Sequence, residues 1–173
     1  MGIGDIIGLV SFIFGMIIAY PALLILLNIL FSGATTKAAY RLHRGMKLPF
    51  FVGLVIAIIG GFIVVFLLSA GSVLQFIGVI VYLLLAFWGT LGIAGMARVV
   101  GERLAELDHR DPVPLFKLLA GGGVLTLSFA FPLIGWFILI PLGTVIGLGA
   151  ATLSLFTHIP KNEPTDTVIQ ATS

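Results

Sequence analysis

Cysteine is absent from this 173-residue chain. Its absence excludes a disulfide framework, thiol catalysis and a thiolate metal site, and says nothing about the compartment. Charge is almost as scarce: Asp, Glu, Lys and Arg make up 9% of the residues, against roughly 25% in a soluble domain. Long stretches carry no ionisable side chain at all. Proton relays and voltage sensors place acids, bases or histidines at membrane depth, so their lack in these stretches argues against a pump or antiporter. No Walker pattern, no nucleophile paired with a base and no metal-ligand spacing is visible.

What the chain does have is apolar residues, 60% of the total, with a mean hydropathy of +1.23. Bilayer rules therefore govern the reading, and the sequence predicts an all-α integral membrane bundle of about five transmembrane helices. The spans fall at about 6–31, 50–68, 73–97, 115–130 and 137–156, followed by a polar tail over 158–173 that is expected to be disordered. Pro21, inside the first span, is expected to kink it. Gly45 is a plausible helix C-cap, and Pro49 suits the start of the second span. Ser69-Ala70-Gly71-Ser72 reads as a tight turn. The third span is expected to continue into water, supported by Arg98–Glu102 and Glu106–Arg110 as i,i+4 pairs. Leu115–Phe156 is too long for one span at ~1.5 Å per residue, so it must be a hairpin. Phe131-Pro132-Leu133-Ile134-Gly135-Trp136 supplies the break, with Trp136 as an interfacial anchor.

The basic residues set the orientation. With five spans, Lys37, Arg41, Arg44 and Lys47 share one side with Arg98, Arg103, Arg110 and Lys117 and with Lys161 in the tail. All nine then lie inside, with the N-terminus out and the C-terminus in. The net charge of +2 is accounted for in this way, and nucleic acid is not an expected partner. The start of the chain lacks a basic n-region and carries Asp5, so the first apolar run reads as a retained span and not as a targeting peptide.

Five groups of residues merit attention. Small residues recur at i,i+4 in every span, among them Gly15, Gly53, Ala57, Gly61, Gly143, Gly147 and Ala151. Such stripes let helices approach closely in lipid, within the bundle or, for Gly143/Gly147/Ala151, against a partner subunit. The basic set Lys37, Arg41, Arg44 and Lys47 contains no acid and needs an anionic counterpart. Anionic inner-leaflet lipid is the default; the alternative is Glu102, Glu106, Asp108 and Asp111. His43, His109 and His158 fall on three separate segments at the inner boundary and read as interfacial polar residues, not as ligands of a metal, haem or pigment. Gly121-Gly122-Gly123 reads as close packing or a hinge, not as a phosphate cradle. Of the polar residues within the spans (Asn28, Gln75, Thr126, Ser128, Thr144, Thr152 and Ser154) none is ionisable. No cofactor is expected.

Three segments together, Arg44–Gly53, Ala94–Leu104 and Pro132–Ala150, form a basic loop leading into a span, a span ending in a Gly/Arg-containing helix, and a Pro-x-x-Gly-Trp hairpin followed by Gly147-Leu148-Gly149-Ala150. This pattern resembles the multi-span membrane module attached to some bacterial bactofilin-like, polymer-forming cytoskeletal proteins. The β-helical polymerising domain of those proteins has no counterpart in these residues. The resemblance implies an anchor or scaffold module and supplies no catalytic residue. The expected function is therefore a non-enzymatic accessory or scaffold subunit of the bacterial inner membrane that packs against other integral membrane subunits. The alternative is a small homo-oligomeric channel or carrier for a neutral solute or lipid.

Overall fold

The computed structural model describes residues 3–107, 113–131 and 133–157, and among these it is helical with no strand. Six helices follow in order: α1 (Ile3–Leu30), α2 (Ser32–Arg44), α3 (Lys47–Ser69), α4 (Ser72–Leu107), α5 (Pro114–Ala130) and α6 (Ile140–Phe156), the last entered through a π-helical segment, Gly135–Leu139. Three helical stretches are long and apolar enough to cross a membrane: Lys47–Ser69, Ser72–Leu107 and Gly135–Phe156. A fourth results if α1 and α2, sharply bent relative to each other, count as one span; α5, with 17 residues, is a shorter apolar helix.

The sequence accounts for most of the boundaries. Pro114 opens α5, where a missing N–H is harmless. Gly45 ends α2 at φ 147°, and Gly71 turns the chain between α3 and α4 at φ 96°, both backbone conformations that glycine alone adopts freely. Pro141 would press its ring on the carbonyl one turn earlier in an ordinary α-helix. The wide turn before it, in which the Ile140 N–H reaches back to the Gly135 carbonyl, accommodates that proline. Such a π-turn is a recognised way to absorb an irregularity inside a helix.

Pro21 lies inside α1 without interrupting it, and a sharp change of direction comes at Phe31, where α1 and α2 meet at 104°. Phe31 has φ −116° and ψ 41°, outside the helical region. Its ring packs edge-to-face on Phe87 of α4, centroids 5.6 Å apart. The bend is thus held by a tertiary contact with no proline at the corner.

α4 is the central element and touches each of the other five helices. The interfaces close where glycine removes a side chain. On α3 and α6, a Cβ at Gly53 would meet the Val145 carbonyl oxygen and the Gly149 amide, and a Cβ at Gly149 would meet the Pro49 carbonyl oxygen and the Gly53 amide. On α4 and α6 the pair is Gly92 against the Gly147 carbonyl; on α4 and α5 it is Gly121 against the Ala97 carbonyl and Gly101 against the Lys117 carbonyl. Carbonyl oxygens occupying the positions of missing Cβ atoms suit Cα–H···O contacts between helices. α6 touches α4 with Gly147 beside Gly92 and Thr152 beside Trp88. Ala94, Ala97, Ala38 and Ala150 are fully or almost fully buried at these seams.

Away from the seams the surface is apolar. Phe62, Val73, Phe76 and Phe137 are 76–80% exposed, along with most large side chains of α3 and the first half of α4. Water would not tolerate so continuous an apolar surface, and a hydrocarbon surrounding satisfies it.

Candidate functional site

Polar chemistry gathers around α2. Its sequence, Ser-Gly-Ala-Thr-Thr-Lys-Ala-Ala-Tyr-Arg-Leu-His-Arg, is amphipathic on a small scale: Thr35, Ala38, Ala39 and Leu42 are buried, at the i, i+3, i+4, i+7 spacing of one helix face. Small side chains on that face let α2 sit close in the groove between α4 and α6, with Ala38 and Thr35 against Gly95 and with Ile146, Ala150 and Val99 completing the cluster. The Thr35 hydroxyl lies 3.2 Å from the carbonyl oxygens of both Phe31 and Ser32 and shares its proton between them.

The two flanks of α2 differ. One is tied to α4. Arg98 donates to the Thr36 hydroxyl, and its Nε lies 3.6 Å from Glu102 Oε1. The other Glu102 oxygen, Oε2, is 2.9 Å from His43 Nε2. Glu102 therefore bridges its own helix and α2. Each side chain of this network is about one-third exposed, where single ion pairs contribute at most about 1 kcal/mol.

The other flank carries Lys37, Arg41 and Arg44. The Arg41 Nε donates to the Thr157 hydroxyl at 2.7 Å, and that hydroxyl donates to the Leu153 carbonyl. The Arg44 guanidinium lies over the Tyr40 ring, 5.0 Å from its centroid. Lys37 is half-buried, and Lys47, which opens α3, is exposed. None of these four cations meets a carboxylate among the described residues. Glu102 does face α2, but through His43 on the opposite flank; Glu106 is exposed, and Asp108 and Asp111 lie outside the described residues. So do His109 and His158, and with them the question of three histidines meeting. Among the described residues no group of three His, Asp or Glu converges.

The remaining sequence candidates are distributed as follows. Gly53 and Gly147 sit at helix crossings, Gly143 lies against the Phe129 ring, and Ala151 is buried in the core. Ala57 is half-buried, whereas a Cβ at Gly15 or Gly61 would meet nothing within 4 Å. Gly121–Gly123 lies in the interior of α5, its first member packed on α4. The hydroxyls of Thr126, Ser128, Thr144, Thr152 and Ser154 all donate to carbonyls of their own helix. Asn28 is the exception: its Nδ2 donates to Leu24 of its own helix and to Ala94 of α4, both at 2.9 Å. These groups line no common path.

Sequence reasoning missed Thr36, Trp88 and Thr157 as partners. Thr36 was accessible in principle, since a helical wheel drawn over 32–44 places it beside His43. Trp88, whose Nε1 donates to the Thr152 hydroxyl at 3.2 Å, and Thr157 depend on how α6 crosses α4, which no local pattern encodes. Trp88 also lines a cleft of about 140 Å³ between the start of α2, α4 and the end of α6. No family model, curated protein or solved structure matches this chain.

Proposed function

We propose that this chain is a non-enzymatic integral membrane subunit, an accessory or scaffold component that packs against other membrane proteins, and that its α2 face contacts anionic lipid of the inner leaflet. In this reading the helices form five spans with the N-terminus out and the C-terminus in, in a bacterial inner membrane. The anchor module that the sequence resembles has the same character. The observation that carries the proposal is how the polar groups are used. Hydroxyls return to their own helices, Asn28 joins α1 to α4, and Glu102 joins α4 to α2. Polarity that serves helix assembly supports a structural role, and Lys37, Arg41 and Arg44 of α2 meet no carboxylate among the described residues.

The test is purification from native membranes in mild detergent, followed by intact-complex mass measurement. Other membrane subunits bound in fixed ratio are the expected result. A symmetric homo-oligomer with no other subunit would instead support the channel or carrier. Topology is tested by single cysteines and an impermeant thiol reagent. Ser72→Cys and Leu133→Cys should be labelled from outside, and Thr36→Cys and Asn162→Cys should not. Leu133, 75% exposed, is the better hairpin probe, because a side chain at Gly135 would run into the Phe129 carbonyl.

A further inference from the structure

The cleft lies beside α2, and the cationic flank of α2 begins within one turn of its α2 wall. Phe31, Ala34 and Ala38 form the α2 wall of the cleft; Trp88, Leu91 and Leu155 are among the residues facing them from α4 and α6. Ala34, Ala38 and Arg41 are spaced i, i+4, i+7, so the cleft wall runs directly into Arg41. Lys37, Arg41 and Arg44 have the same spacing and form the adjoining stripe. Thr157 takes the Arg41 Nε, and no carboxylate among the described residues neutralises any of the three. The one carboxylate that touches α2, Glu102, sits on the far flank with His43.

We infer that this is a discrete binding site for one anionic phospholipid, with part of an acyl chain in the Phe31–Trp88 cleft and the phosphate at Lys37, Arg41 and Arg44. The proposal rests on the membrane-embedded reading given above and makes its lipid contact specific. The occupant is argued from charge and shape together. The pocket lining is apolar apart from Ser154 and lies among helices that need hydrocarbon around them, and the three cations that follow its α2 wall meet no carboxylate among the described residues. An anionic group at the end of an apolar chain is what satisfies both. Arginine suits the phosphate end because its planar fork offers several donors at once.

The test uses the whole chain, purified and reconstituted in phosphatidylcholine nanodiscs, so it is independent of whether a partner subunit is ever found. The sequence has two tryptophans, so Trp136→Phe leaves Trp88 as the sole tryptophan, excited selectively over tyrosine at the red edge of its absorption. Phosphatidylglycerol brominated on its acyl chain is titrated in and compared with phosphatidylcholine carrying the same label. Trp88 should be quenched at a several-fold lower mole fraction of the anionic lipid. Lys37→Gln, Arg41→Gln and Arg44→Gln should each reduce that preference in part, and together abolish it. His43→Gln, on the opposite flank, should leave it unchanged. Ala34→Leu fills the cleft while keeping every charge, and should reduce quenching by both lipids. Equal quenching by the two lipids, or a preference that survives the triple substitution, overturns the proposal. So does full quenching in Ala34→Leu, which would mean diffuse surface attraction without a chain site. A triple variant that keeps its lipid preference but sheds a co-purifying protein would reassign the basic flank to a protein partner.

Discussion

The methyl group of a single alanine discriminates between two glycines of α3. In Gly53→Ala the new Cβ points at the Val145 carbonyl oxygen and lies 2.8 Å from the Gly149 amide nitrogen. An ordinary contact needs 3.4 Å or more, and both obstacles are backbone, so neither can rotate away. α3 and α6 must separate, and the seam that also holds Gly149 against the Pro49 carbonyl opens with them. Overpacking of this kind costs about 1–3 kcal/mol. In Gly61→Ala, two turns further along, the Cβ meets nothing within 4 Å, and only the helix-propensity gain of alanine over glycine remains, about 0.8–1 kcal/mol. The two substitutions are chemically identical and should have opposite signs, separated by about 2–4 kcal/mol. Thermal unfolding of the purified protein in one detergent, followed by circular dichroism, measures the difference. Gly53→Ala should unfold at lower temperature than the parent and Gly61→Ala at the same or higher temperature. Gly149→Ala should behave like Gly53→Ala, and the double substitution should cost less than the sum, because opening the seam once relieves both clashes. Equal shifts of the same sign for Gly53→Ala and Gly61→Ala would refute the close α3–α6 seam.

Three further outcomes are expected. Gly147→Leu should lower the unfolding temperature more than Leu148→Ala, since Gly147 lies against the Gly89 carbonyl and Ile93, whereas Leu148→Ala leaves a cavity that neighbours can partly fill; thermal unfolding ranks the two. Asn28→Leu removes the hydrogen bond from α1 to Ala94 and should cost about 0.6 kcal/mol, the average for interhelical hydrogen bonds in membranes, and no more than about 1.7 kcal/mol, read as a shift of the unfolding midpoint. Glu102→Gln should increase amide exchange across α2 at low salt, by releasing His43 and Arg98. That increase should shrink at high salt because exposed pairs are screened, and in a His43→Gln background Glu102→Gln should add little.

The local patterns that specified the helices were strong ones. Apolar runs too long for a soluble core, punctuated by Ser69-Ala70-Gly71-Ser72, mark the end of α3 and the start of α4 at the same place in sequence and structure. Arg98 and Glu102, spaced for a helical pair, do approach each other. Gly45, read as a cap, does end α2. These features depend on backbone chemistry within a few residues, so a single chain of letters carries them.

Tertiary structure decided the rest. The bend at Phe31 has no proline to announce it and exists because Phe31 finds Phe87, far away in sequence. Small residues recur at i,i+4 throughout, yet Gly53 meets a neighbouring backbone and Gly61 does not; which member of a stripe is used depends on where the second helix crosses. Gly92 and Gly101 were not singled out in sequence because nothing local separates them from other glycines. The sorting of α2 into a flank tied to Glu102 and a flank of uncompensated cations beside an apolar cleft likewise depends on α4 and α6 converging there. Composition and periodicity made this a chain of apolar helices, since each helix closes its own backbone hydrogen bonds wherever its neighbours lie. Which faces meet, and what chemistry they bring together, is set by close packing between distant segments, a property of pairs of helices that no single helix carries.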